Sequence, residues 1–287
     1  MHNIERWWNT EALDFLRLLC AAIPKVTEER SAERTLLLIA FCRSLIGLSN
    51  AAFNHQSMSF KKENRQLDIG LDIDLPSVYA HDVQFILEGA RENPSGFGHA
   101  ILGDSRNPAE VVEGVFDLVV TSPPYANRMS YIRELRPYMY WLGFLSNGRD
   151  AGELDWTAIG GTWGIATSRL TAWNRSSGHF KSERLSGMLD KIAHSNNKSG
   201  VVLAHYVAKY FDDMWAHFQG LASVLAPSAE LHYIVGNSSF YGTVVSTELL
   251  YAEMLESLGF ADVECRAIRK RNSKQELVEY DVVARWK

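Results

Sequence analysis

The sequence predicts an α/β chain: a helical N-terminal segment, then a mainly parallel sheet that ends in an antiparallel hairpin. Three observations lead there. Val115, Phe116, Leu118, Val119 and Val120 form a short apolar run rich in β-branched residues, the pattern of a strand buried on both faces in a parallel sheet. From Gly200 to Trp286, helical spacing and short apolar runs alternate and close on two runs joined by a basic turn. Residues 1–53, by contrast, carry only helical spacing.

In the N-terminal segment, 1–95, Thr10 can cap a helix in which Leu13, Leu16 and Leu19 or Cys20 recur, with Pro24 marking its end. Ser31 can cap a second helix through Leu36, Ile39, Ala40, Arg43, Ile46 and Gly47 to Phe53, while Trp7 and Trp8 are expected to pack. Asn54 to Asp74, with Lys61, Lys62, Asn64 and Arg65, has no period and reads as a loop, either a solvated connector or a phosphate contact. Pro76 to Ala90 suits a helix with Val78, Val83, Phe85, Ile86 and Leu87 as its apolar side.

Residues 96–287 are expected to carry the chemistry. His99 to Leu102 reads as a short strand with Gly103-Asp104-Ser105-Arg106 at its carboxyl end, where Asp104 can cap a helix from Pro108. Met129 to Leu145 has helical spacing despite Pro137, which should kink the helix or mark its start. The stretch 146–198 reads as irregular, and long connections of that kind are commonly functional. Gly160, Gly161 and Gly164 have no strand before them and no clear helix after, so they do not read as a nucleotide loop. Gly200 to Leu225 is a long amphipathic helix with Val202, Tyr206, Tyr210, Met214 and Phe218 on one side. Leu231 to Val235 is a strand ending in the turn Gly236-Asn237-Ser238, and Thr247 to Leu258 is a helix closed by Gly259. Val263 to Ile268 and Val278 to Trp286 form the final hairpin.

With 287 residues, 46% of them apolar, there is material for one large domain or two small ones. The longest aliphatic run, Leu36 to Phe41, is too short to span a bilayer, and the N-terminus lacks a basic-then-apolar pattern, so a cytoplasmic location is expected. Cys20, Cys42 and Cys265 are odd in number and without metal spacing; free buried thiols are expected. A net charge of −5 opposes nucleic-acid binding in the sum. Local distribution differs: Arg266, Arg269, Lys270, Arg271 and Lys274 fall together without an acid, and Arg128, Arg133 and Arg136 follow the apolar run at 115–120. Such clusters are either solvated faces or phosphate contacts.

Between that run and those arginines lies Thr121-Ser122-Pro123-Pro124-Tyr125. Two prolines cannot join a ladder and fix their own φ, so Ser122 to Tyr125 must be a stiff loop at a strand's carboxyl end, the edge where open α/β sheets bind ligands. Such a loop suits transfer to an amine. Ser122 Oγ and the Pro123 carbonyl could accept from the two N–H groups of an exocyclic amine, returning electron density to nitrogen, while Tyr125 offers a flat face for a base. A Pro-Pro turn with a core tyrosine is the plain alternative.

The five residues resemble the catalytic motif of S-adenosylmethionine-dependent DNA amino-methyltransferases, and serine in its first place resembles the cytosine-N-4 branch, where the adenine branch more often has aspartate. Asn127, Arg128, Tyr131 and Arg133, the run 141–144, Ile159-Gly160-Gly161-Thr162, the run 234–238 and Arg271-Asn272-Ser273-Lys274 resemble the same family, in order, over most of 103–287. The resemblance implies the second part of a Rossmann-like methyltransferase fold, with 146–198 as a target-recognition-like insertion. It implies a site-specific methyltransferase in which Ser122, Pro123, Pro124 and Tyr125 hold the amine, and Asp104, Ser105 and Thr121 lie by the cofactor, S-adenosyl-L-methionine. Asn127, Arg128, Arg133, Arg269, Lys270, Arg271 and Lys274 would contact DNA or steady the catalytic loop.

One part of that pattern is missing. The fold normally holds its cofactor on a strand followed by a glycine-rich turn and an acid ending the next strand, and neither is legible. Gly96-Phe97-Gly98 lacks the flanking elements, and Asp72 and Asp74 are poor substitutes for the acid. A complementary subunit could supply the motif, the chain could be a remnant, or it could bind cofactor differently; the split enzyme is the favoured expectation. A tRNA guanosine methyltransferase and a non-catalytic nucleic-acid-binding module are the rival functions.

Overall fold

A computed structural model describes residues 3–52, 59–60, 74–271 and 277–287. The predicted end of the second helix at Phe53, the loop cations Lys61, Lys62 and Arg65, and Asn272, Ser273 and Lys274 lie outside the described residues. The chain divides into two compact units, Met1–Gly98 with Glu134–Asp150 and His99–Arg133 with Ala151–Lys287.

In chain order the elements are α1 (Thr10–Val26), α2 (Ala32–Gly47), β1 (Ala51–Ala52), β2 (Ser59–Phe60), α3 (Leu75–Arg91), β3 (Phe116–Thr121), α4 (Tyr131–Trp141), α5 (Gly148–Thr157), α6 (Ile165–Ala172), α7 (Glu183–Ala193) and α8 (Gly200–Ala222). There follow β4 (Leu225–Gly236), β5 (Ser238–Phe240), β6 (Thr243–Val245), α9 (Thr247–Ser257), β7 (Ala261–Lys270) and β8 (Val278–Arg285). No helix among the described residues is long and apolar enough to cross a membrane.

The first unit is helical around Trp8, Leu16, Phe41 and Leu45, all fully buried. The Trp8 indole donates to the Leu45 carbonyl at 2.8 Å, so its polar edge is satisfied inside the core. Asn9, not Thr10, caps α1, accepting from the Ala12 N–H at 2.8 Å. Pro24 lies within the last turn rather than past it: Thr27 Oγ donates to the Ile23 carbonyl and Arg34 to the Pro24 carbonyl, so the helix end is served by side chains. Ser31 caps α2 as its position suggests. That helix stops at Gly47, well before Phe53, and the chain enters β1, which pairs with β2 antiparallel. The inner side of α3 also differs from expectation. Asp82 is buried, accepting from Ser44 Oγ at 2.6 Å and from Arg43 at 3.1 Å, while Phe85 and Leu87 are exposed and Phe85 is covered by the Arg43 guanidinium.

The second unit holds a four-stranded sheet in the order β3-β4-β8-β7. β3 and β4 are parallel, and β8 runs antiparallel to both β4 and β7, so three strands share one direction and the C-terminal pair is a hairpin. This is a mixed α/β sheet consistent with the second part of a Rossmann-like methyltransferase fold. One face is the core, built from Leu231, Tyr233 and Val235 of β4 and Val282 and Ala284 of β8, with α8 and α9 in the same cluster. α8 buries Tyr206, Tyr210, Met214 and Phe218 as its spacing predicts, and Leu203, Val207 and Phe211 beside them. Gly259, φ +89°, follows α9 in the left-handed conformation that ends helices without strain.

Four expectations are corrected here. β3 is not buried on both faces: Leu118 is 55% and Val120 66% exposed, because β3 is the outer strand and, among the described residues, has a strand on one side only. His99 to Leu102 forms no strand; it is exposed, and a strand needs a ladder partner to exist. Asp104 caps no helix, since a short 3-10 turn at Pro108–Glu110 follows Asn107. The stretch 146–198 is not irregular but contains α5, α6 and α7.

The opposite face of the sheet is polar beyond β3. His232 of β4 bonds Asp281 at 2.9 Å and Glu230 at 3.1 Å, and the two carboxylates raise its pKa above the ordinary 6.5. A raised value means that this pairing stabilises the fold fully below pH 6.5 and fades as pH climbs through the folded value. Imidazole NMR titration is expected to give a midpoint above 6.5 for His232 that falls toward 6.5 in Asp281→Asn. In the core, Phe218 packs edge-on against Tyr233 and Tyr251, each at 5.1 Å. Phe218→Ala is expected to cost about 3–5 kcal/mol in urea unfolding followed by near-UV circular dichroism.

Candidate functional site

The loop after β3 begins with an exposed residue and ends with a buried one. Ser122 faces solvent, Pro123, Pro124 and Tyr125 are half-buried, and Ala126 is fully buried. Proline supplies no N–H, so this backbone cannot anchor itself by donating. Hydroxyls from α8 do it instead. Tyr210 donates to the Pro124 carbonyl at 2.7 Å and is itself bonded to Tyr251 at 2.7 Å, while Tyr206 accepts from the Arg128 N–H at 3.0 Å. Burial lifts the phenols of Tyr206, Tyr210 and Tyr251 far above their ordinary range, so they stay protonated.

Ser122 Oγ lies 3.2 Å from the Ile234 carbonyl of β4 and 3.4 Å from Tyr125 Oη. Its one proton belongs inward, to the nearer carbonyl, which leaves the oxygen's lone pairs for an outside donor. The Pro123 carbonyl accepts no hydrogen bond among the described residues.

Tyr125 is held on three sides. Its hydroxyl donates to Glu279 Oε1 at 2.7 Å, Arg269 donates to Glu279 Oε2 at 2.6 Å, and the Arg271 guanidinium lies 4.9 Å over the ring. Hydrogen bonds from Arg269 and then Tyr125 hold the Glu279 carboxyl below its usual range, so it remains an acceptor. Arg271 also donates to the Asn237 carbonyl at 3.0 Å. Gly236 makes that reach possible, because a Cβ there would overlap Arg271 Nη1.

A second brace comes from residues 155–163. Buried Asp155 accepts from Ser130 Oγ and from the Trp163 N–H at 2.6 Å, and Ser130 in turn accepts from the Arg133 N–H at 3.0 Å. Gly161 has no room for a side chain, since its Cβ would overlap the Asp155 carbonyl. At Gly160, φ +76°, an added Cβ would come within 3.6 Å of the Pro124 side chain, so this turn runs close behind the proline corner. A helix, α6, does follow these glycines, contrary to expectation; the turn supports the Ser122 loop from behind.

Asp104, Ser105 and Thr121 fall into separate networks. Arg106 makes a forked contact to the Asp104 carboxylate, as close as 2.8 Å, and its hydrogen bonds hold that group below the ordinary range. Arg106 also reaches Asp213 at 2.9 Å, which Lys209 grips at 2.6 Å. The Ser105 carbonyl accepts from His217 Nδ1, whose other nitrogen accepts from Tyr233 Oη, each at 2.6 Å; burial lowers this imidazole's pKa and keeps it neutral. Thr121 ends β3 opposite Tyr233. Residues 103–106 line a hollow of about 280 Å³ with Ile132, Thr157 and Ile159.

Among the cations singled out from sequence, Arg128 takes a left-handed φ of 64° beside Asn127, whose side chain accepts from the Met129 N–H. Arg133 lies in the first turn of α4 and Lys270 is exposed at the end of β7. Arg269 and Arg271 are turned onto Glu279 and Tyr125. Sequence reasoning missed Glu279, Tyr206, Tyr210 and Asp155. The tyrosines were visible as part of a helical stripe, but their hydroxyl roles have no sequence signal.

No family description matches the chain, and no solved structure does. It is similar to a Type II methyltransferase, M.BsoBI, of Geobacillus stearothermophilus, 25% identical over 214 residues that make up 67% of this chain and 41% of that protein. The chain therefore spans less than half the length of this relative.

Gly236→Ala is expected to push the flexible Arg271 side chain off the Tyr125 ring with little change in the urea unfolding midpoint. Ring NMR signals of Tyr125 should shift; unchanged signals would mean that Arg271 does not set the ring's position.

Proposed function

We propose that this chain is the catalytic part of a DNA amino-methyltransferase, transferring a methyl group to the exocyclic amine of an extruded base, with cytosine N-4 preferred to adenine N-6. One observation carries the reading: an exposed Ser122 whose proton is committed inward, on a proline-stiffened corner beside a braced tyrosine face. Likeness to a Type II methyltransferase supports the same reaction class.

In this reading each residue has a role. Ser122 Oγ and the Pro123 carbonyl accept from the two amine N–H groups, which raises electron density on nitrogen in line with the incoming methyl. Tyr125 stacks on the base, and Pro124 keeps the two acceptors at fixed spacing. Asn127, Arg128, Arg133, Lys270 and Lys274 meet phosphates, whereas Arg269 and Arg271 act through Glu279 and Tyr125. Residues 146–198 serve target recognition.

S-adenosyl-L-methionine is the methyl donor such a reaction uses. The described residues do not by themselves make a site for it. Asp104 is already taken by Arg106, the hollow at 103–106 is about 280 Å³, and no strand leads into a glycine-rich turn among the described residues. A complementary polypeptide carrying that turn completes the donor site in this reading, with Asp104, Ser105 and Thr121 on its near wall.

The test is transfer of a labelled methyl group to DNA, and to tRNA as the rival substrate, by the chain with its complement. Ser122→Ala is expected to lower the rate by about 10²-fold or more, the scale of losing one aligned polar contact to a reacting group, without shifting the urea midpoint. Unchanged turnover would remove Ser122 from the mechanism, and label in tRNA alone would replace the DNA reading. Nucleoside analysis of the product then separates N-4-methylcytosine from N-6-methyladenine.

A further inference from the structure

The two edges of the sheet are finished differently. β7, at one edge, carries Glu264, Arg266, Arg269 and Lys270, and the pair Arg266–Glu264 closes at 2.8 Å. Charged edges of this kind repel further strands. β3, at the other edge, carries Phe116, Leu118, Val119 and Val120 with Asp117 as its one charge.

The same contrast runs across the open face. Register places Leu118 beside Glu230 and Val120 beside His232, and continues to Val283 and then Glu264, so these side chains share one face. From β4 onward that face is adapted to water by the His232–Asp281–Glu230 group and by Arg266–Glu264. On β3 it is apolar and open: Phe116 is 43%, Leu118 55% and Val120 66% exposed. Parallel strands are normally covered on both faces, and an edge this apolar, with a single charge, is poorly guarded against pairing with another strand.

We infer that the outer face of β3, and the edge on which no strand lies among the described residues, are the docking surface for the complementary polypeptide, which adds a strand parallel to β3 and lays an apolar element over Phe116, Leu118 and Val120. The inference rests on the proposed methyltransferase reading and gives its missing half a location. Direction selects the occupant. A glycine-rich turn can share the sheet end of Ser122 and Tyr125 only if its strand runs parallel to β3. A second copy of this chain, related by a two-fold axis, would pair β3 antiparallel, send the two Ser122 corners to opposite ends and bring no such turn. M.BsoBI, less than half of which this chain covers, has ample sequence outside the match for such a complement.

The experiment is affinity purification of the full tagged chain from its native cells, with the stoichiometric partner identified by mass spectrometry and the complex studied by hydrogen exchange. The expected partner carries a strand followed by a glycine-rich turn, and β3 amides become protected in the complex. Val120→Lys, on an exposed side chain, is expected to leave the isolated chain folded and to weaken association by about a hundredfold, the scale of burying an unpaired charge. Ile268→Lys, on the exposed β7 edge, is the control and should not affect it. A monomeric chain, a self-dimer, or a partner indifferent to Val120→Lys overturns the inference. Methyl transfer assayed on the same material separates the two ideas: a complex formed through β3 that transfers nothing refutes the function and keeps the surface, while an active complex indifferent to Val120→Lys does the reverse.

Discussion

A loop built from two consecutive prolines cannot hold itself, and the second unit is arranged around that constraint. With no amide hydrogens at Pro123 and Pro124, position has to be imposed from outside by donors aimed at carbonyls. α8 provides one from its most buried stripe, Tyr210, which donates to the Pro124 carbonyl, while Tyr206 accepts from the Arg128 N–H just past the prolines. A phenol suits this task because its ring fills core volume while its hydroxyl crosses to the loop. The long helix, the Tyr251 contact from α9 and the glycine turn at 160–161 thus serve one local need.

A second layer of support arrives from the end of the chain. Glu279, Arg269 and Arg271 lie on or just after the terminal hairpin, more than a hundred residues from Tyr125, yet they fix its hydroxyl and cover its ring. Cations that look in sequence like a phosphate-binding run are partly spent on an internal clamp. Arg269 and Arg271 organise the loop and Arg266 is paired with Glu264, so little of that run is left to offset the net charge of −5.

Legibility followed the physics of each element. α8, α9, β4 and the β7–β8 hairpin were readable because one face of each meets the core, and burial writes its period into the residues. The Ser122 corner was readable because proline chemistry is local. α5 and α6 were not, since short helices with mixed surfaces have weak periodicity; α7 was overlooked although Leu185, Met188, Leu189 and Ile192 mark its inner side, and α3 was turned wrongly because its inward residue is Asp82, satisfied by Ser44 and Arg43. His99 to Leu102 misled for a different reason. Its residues favour a strand, but strands exist by pairing, and it joins none of the sheets among the described residues.

The orientation of a single hydroxyl also bears on which base could be accepted. On the reading proposed above, Ser122 has handed its hydrogen to the Ile234 carbonyl and meets the target with electron pairs alone. Thymine presents a keto oxygen where cytosine presents an amino nitrogen, so the two oxygens would confront each other with nothing between them to share. Discrimination between pyrimidines would then originate in the backbone of a neighbouring strand, a group that never approaches the nucleotide, and no side-chain inventory of the pocket would reveal it.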